Sequence, residues 1–303
     1  MPTPNASSAV FRAVLGAAFI AALLPPASAA QSPKVGTIVV AHGADREWNA
    51  PVEALAASLL TAGPVRVAFL MGEGAKTLGF AEAARQLEAL GVQQIVVVPL
   101  LVSSHSAHYM QIRWLAGLID SIDARLAEHM HHMGVEPAKV RVPIRVAPAL
   151  DDATELGDVL AERASALAKS PREQALFLVA HGPNDAEEYA LWMENLRRVA
   201  ERVREKAGFR DVRVDAVRDD APAPVRAEAV RRVRELITLQ QAATQHDVVV
   251  VPILISRGKM TRSTLVKDLE GLPIEYSGAA LLPHPALARW AEAQVREAPT
   301  RAP

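Results

Sequence analysis

Ile38-Val39-Val40-Ala41-His42-Gly43 is an apolar run closed by a histidine and a glycine. Four to eight apolar residues ended by glycine read as a strand buried on both faces, the kind found in parallel sheets. Such a strand delivers His42 to its carboxyl end, where open α/β sheets hold ligands. The phrase returns as Leu178-Val179-Ala180-His181-Gly182. A second phrase, Val96-Val97-Val98-Pro99-Leu100-Leu101-Val102-Ser103, returns as Val249-Val250-Val251-Pro252-Ile253-Leu254-Ile255-Ser256. A third, Pro148-Ala149-Leu150, is matched by Pro285-Ala286-Leu287. Three matches in one order indicate an internal duplication.

Working outward, the strand at 36–42 is followed by a helix entered at Asn49 and Pro51, since proline fits a first helical turn. A strand at 65–70, a helix at 76–90 and a strand at 94–102 come next. The polar stretch Ser103-Ser104-His105-Ser106-Ala107-His108 leads into a long helix reaching Met133. A strand at 140–147 and a helix from Asp151 to Lys169 complete the first half. Ser170-Pro171-Arg172-Glu173 reads as a linker. The second half repeats the scheme with strands at 175–181, 211–217, 247–255 and 274–281, helices at 185–207 and 222–243, a loop after the third strand, and a helix from Pro285. Strands alternating with helices imply parallel sheets with right-handed crossovers. The expected fold is α/β: two duplicated Rossmann-like domains, 34–169 and 174–297, each a four-stranded parallel sheet flanked by helices.

The chain has 303 residues, 50% of them hydrophobic and only 4% aromatic, so its core is aliphatic. A formal net charge of −1 supplies no field for nucleic acid or an anionic membrane. With no cysteine there are no disulfides and no thiolate metal sites. Arg12, the apolar segment 13–24 and Ala27-Ser28-Ala29 follow the order of a secretory signal. Residues 1–30 are therefore expected to be a signal peptide, leaving an exported, periplasmic protein with no membrane insertion after cleavage.

The first and third strands flank the point where strand order reverses in such sheets, so His42, His105 and His108 are expected to reach one crevice. Imidazoles there, without cysteine or a carboxylate motif, suit an open site for a borderline divalent ion such as Co²⁺, Ni²⁺, Fe²⁺ or Zn²⁺. His181 copies His42, but Gly258 stands where the first half has His105, so a two-nitrogen site is expected in the first half alone. His129, His131 and His132 read as a solvated helix end, and His284 as a helix-entry residue. Phosphate chemistry is disfavoured. Neither His-Gly turn is a Walker loop, and Ala41 and Ala180 occupy the position where an arginine would hold a phosphoryl group.

These residues resemble the class II chelatase family, particularly the sirohydrochlorin cobaltochelatases. The resemblance runs over about 35–295 and is carried by Ala41-His42-Gly43, by Trp48-Asn49-Ala50-Pro51 and by Val98-Pro99-Leu100-Leu101-Val102-Ser103-Ser104. It implies insertion of a divalent metal, Co²⁺ first with Fe²⁺ or Ni²⁺ possible, into a tetrapyrrole without an organic cofactor. By that resemblance His42 binds metal and accepts pyrrole protons, and His105 or His108 is the second ligand. Gln111 stands where relatives carry an acid. A periplasmic metal- or tetrapyrrole-binding protein that performs no insertion is the alternative.

Overall fold

The computed structural model describes residues 34–132 and 135–298. The signal-peptide reading of residues 1–30 lies outside them, as do the side chains of His129 and His131. The first half runs β1 (Val35–Ala41), α1 (Arg46–Ser58), β2 (Val65–Phe69), α2 (Gly72–Thr77), α3 (Phe80–Ala89), β3 (Gln94–Leu100), α4 (Ala107–Leu115), α5 (Ala124–His132), β4 (Ile144–Val146) and α6 (Thr154–Leu167). The second runs β5 (Ala175–Ala180), α7 (Ala186–Ala207), β6 (Asp211–Ala216), α8 (Ala223–Thr244), β7 (Val248–Ile253), a π-helical turn (Met260–Thr264) leading into α9 (Leu265–Asp268), β8 (Ile274–Tyr276) and α10 (Pro285–Glu297).

Each half holds a four-stranded parallel sheet, ordered β2-β1-β3-β4 and β6-β5-β7-β8. The central strands alternate their faces with period two. Val39, Ala41, Val96, Val98 and Leu100 of one sheet, with Leu176, Leu178, Ala180, Val249, Val251 and Ile253 of the other, enter one shared core. Val52 and Leu55 of α1, Leu160 of α6, Leu196 of α7 and Trp290 of α10 fill that core between the sheets. Ile38, Val40, Ile95 and Val97 face an outer core with α3 and α4. Phe177, Val179, Val248 and Val250 face another with α8 and α9. The order is helices, sheet, helices, sheet, helices. Packing crosses the 170–173 linker, since α6 lies against β7 and α10 against β3.

The elements depart from the sequence expectations where local chemistry overrides periodicity. Helix α1 begins at Arg46, because the Asp45 side chain accepts from the Trp48 N–H at 2.8 Å and caps it; Pro51 falls inside the helix. The helix expected at 76–90 is two, α2 and α3, the second entered at Gly79. The long helix expected to Met133 breaks after Leu115, where Gly117 takes a left-handed φ of 70°. Strands 140–147 and 274–281 shrink to three residues each, because only Ile144–Val146 and Ile274–Tyr276 pair with their neighbours. The expected loop after β7 contains a π-helical turn and α9.

Hydrogen bonding also corrects the third repeat. The Leu150 N–H donates to Leu101 O and the Leu281 N–H to Leu254 O, so Ala280-Leu281 is the counterpart of Ala149-Leu150. Pro285-Ala286-Leu287 instead opens α10, where His284 caps the helix by accepting from the Ala286 N–H.

Candidate metal centre

His42 follows β1 directly and is held there by its own turn. Gly43 has a φ of 84°, and a side chain on it would collide with Met71 O and Phe69 Cβ, at 2.7 and 2.8 Å. The turn puts Gly43 O 2.7 Å from His42 Nδ1. A carbonyl can only accept, so Nδ1 carries the proton and Nε2 keeps its lone pair.

His108 arrives from the loop after β3. The Ser104 N–H and hydroxyl each donate to the Asp151 carboxylate at 2.7 Å, and Ser106 caps α4 by accepting from the Tyr109 N–H. The first turn of α4 then carries His108 back to His42. The two rings meet edge to face, with centroids 4.7 Å apart and planes at 81°. His108 Nδ1 faces Gln111 Oε1 at 3.1 Å. The Gln111 amide nitrogen donates to Met130 Sδ, which turns its oxygen toward His108. Fully buried Gln111 thus leaves Nε2 of His108 with a free lone pair as well.

Electrostatics keep both rings neutral. Burial, then the neighbouring His108, pushes the His42 pKa down to about 4. Burial also lowers that of His108. Two neutral imidazoles with free Nε2 atoms could hold a metal ion at neutral pH.

His105 is exposed, and its backbone carbonyl accepts from Trp192 Nε1 at 2.6 Å. The duplicated position, Gly258, does the reciprocal thing: a Cβ there would sit 2.9 Å from Trp48 Cδ1. Each half therefore sends a tryptophan onto the corresponding loop of the other. Trp48 in turn stands edge-on to His42, with centroids 6.4 Å apart.

His181 occupies the place of His42 in the second half, with Nδ1 2.8 Å from Gly182 O. It lies within electrostatic reach of both His42 and His108. Its direct neighbour is a carboxylate, Asp220 Oδ2, 3.1 Å from Nε2. Burial disfavours the charged form of His181, but the hydrogen bond to Asp220 and that residue's charge outweigh it and raise the pKa. Asp219 and Asp220 escaped the sequence reading. The available signal was an Asp-Asp pair just past β6, the strand neighbouring β5. Among the described residues, no helix is long and apolar enough to cross a membrane.

The CbiX family model matches residues 36–167, the segment that carries His42, His105 and His108. The chain is class II chelatase-like, in a two-domain form. SirB from Bacillus subtilis, solved with Fe³⁺, is 18% identical and superposes with a TM-score of 0.59 over 88% of this chain and 95% of its own. The sirohydrochlorin chelatase SirB of B. subtilis subspecies spizizenii, in complex with cobalt, is 15% identical with a TM-score of 0.57 over the same shares. CbiX, the terminal enzyme of siroheme biosynthesis in denitrifying bacteria, is 17% identical with a TM-score of 0.51 over 87% of this chain and 99% of its own. These likenesses share the duplicated fold. No curated protein sequence matches the chain.

Proposed function

We propose that the protein is a metal chelatase that inserts a divalent metal, Co²⁺ foremost, into a tetrapyrrole of the sirohydrochlorin class, and that it works outside the cytoplasm. The observation that carries this reading is the His42–His108 pair, neutral, edge to face, and with both Nδ1 atoms occupied elsewhere. The CbiX-family match and the SirB likenesses support it.

Insertion exchanges two pyrrole N–H protons for one M²⁺. Two imidazole nitrogens hold the incoming ion loosely enough to pass it on. As it leaves them for the ring, the freed lone pairs can accept the displaced protons. Exposed Arg257 and Lys259 flank Gly258, which rests on Trp48 beside His42. Cations there suit a substrate that carries carboxylates. In this reading His42 and His108 are the ligands, and the His105 backbone helps seat the second half.

The test mixes the mature protein with metal-free sirohydrochlorin and Co²⁺ and follows the absorbance of the ring. Acceleration over the protein-free rate, lost in His42→Ala, is expected. Tight ring or metal binding without acceleration would leave a binding protein in its place.

A further inference from the structure

We propose that His181, Asp219 and Asp220 form a second divalent-cation site, separate from the His42–His108 pair. Among the described residues, these three present ligand atoms that all lie within 4.8 Å of one another. Both halves begin from one device, a strand-end histidine whose Nδ1 is tied to the next carbonyl. They complete it differently. The first half adds a nitrogen from the loop after β3; the second adds two carboxylates from the turn after β6, where Arg218 N–H donates to His181 O and Asp219-Asp220 follow.

The orientation points to a cation. With Nδ1–H committed to Gly182 O, the Nε2 lone pair of His181 faces a carboxylate oxygen at 3.1 Å. Two acceptors at that distance need a positive species between them, a proton or a metal ion. Anchoring one ring nitrogen on a carbonyl is also how metal-binding histidines are commonly fixed. The surrounding charge agrees. Asp219 Oδ1 pairs with Arg226, which is shared with Asp268, so two carboxylates share one guanidinium, while Asp220 pairs with His181 and not with an arginine. The Arg218 guanidinium is occupied by the Pro183 and Asn184 carbonyls. One imidazole nitrogen with carboxylate oxygens suits Mn²⁺, Fe²⁺, Co²⁺ or Zn²⁺ rather than Ca²⁺ or a thiolate-seeking ion. Near the first pair, such a site could hold an incoming ion before transfer.

The site is tested with metal alone, by equilibrium dialysis and calorimetric titration of the mature protein with Co²⁺ at neutral pH. Two equivalents are expected for the wild type. His181→Ala and Asp220→Asn should each retain one, with the second weakened at least about 10-fold. Asp220 is exposed, so its isosteric variant keeps the fold if His181→Ala does not. The doubly substituted His42→Ala/His108→Ala should also retain one. A single equivalent in the wild type overturns the second site: the His181–Asp220 contact is then a proton-bridged pair, or, if His181→Ala and His42→Ala abolish binding equally, part of one shared site. Binding that survives only at His181 would instead remove the metal role proposed for His42 and leave this one standing.

Discussion

The imidazole of His108 stands 4.7 Å from that of His42, nearly perpendicular to it, while the exposed His105, three residues earlier, offers its backbone carbonyl to Trp192 of the other half. That relationship makes His108 the partner of His42.

Removing either partner should therefore cost far more metal affinity than removing His105. Outer-shell losses alone weaken metal sites by about 10–100-fold, and a lost ligand costs at least as much. His42→Ala and His108→Ala are expected to lose the first-half Co²⁺ equivalent in calorimetric titration, and His105→Ala to keep it. A His105→Ala effect as large as that of His108→Ala would return His105 to the ligand set.

Gln111 should act through His108. Its amide oxygen receives the Nδ1–H and thereby leaves Nε2 free. Gln111→Leu removes that acceptor within the fold's interior, and a fall of about 10-fold in Co²⁺ affinity is expected. Gln111→Glu restores an acceptor and should recover most of it, which a purely structural role would not explain.

The pH dependence of stability has a definite sign. In the unfolded chain His42 protonates near 6.5, and in the folded protein near 4. Between those values the unfolded state binds more protons, so stability falls as pH falls through that window. The full excursion is worth on the order of 3 kcal/mol, and His108, also lowered, adds in the same direction. His181 is raised, so its contribution is present below 6.5 and fades as pH climbs through its folded value. Urea midpoints of the metal-free protein should drop between pH 7 and 5, and His42→Phe should flatten that drop.

Arg257 and Lys259 flank the loop that rests on Trp48. If they meet the carboxylates of a tetrapyrrole, Arg257→Glu and Lys259→Glu should raise KM several-fold in the chelation assay while Co²⁺ binding stays unchanged. Equal losses in metal binding would place the effect on folding instead.

Export rests on Arg12, the segment 13–24 and Ala27-Ser28-Ala29. N-terminal sequencing of the protein from its native host should begin near Ala30 or Gln31. An intact Met1 on the soluble form would overturn it.

The amino-acid sequence by itself determined the strand plan, the duplication and the two strand-end histidines. Each of these is local: a buried parallel strand is a continuous apolar run, and a His-Gly ending places the ring at its carboxyl end. What lay beyond local pattern was decided by tertiary structure. Ser106 starts α4, so His105 remains in the extended approach to the helix while His108 is wound back over β1. No spacing rule separates the two without knowing where that cap falls. Gln111 became an orienting group only because Met130, from a helix the periodicity had merged with its neighbour, takes its amide nitrogen. Asp219 and Asp220 meet His181 because β6 lies beside β5, an adjacency of pairing strands that the chain order does not state. Likewise α6 and α10 each cover the sheet of the opposite half, since a shared apolar layer buries more surface than two separate ones.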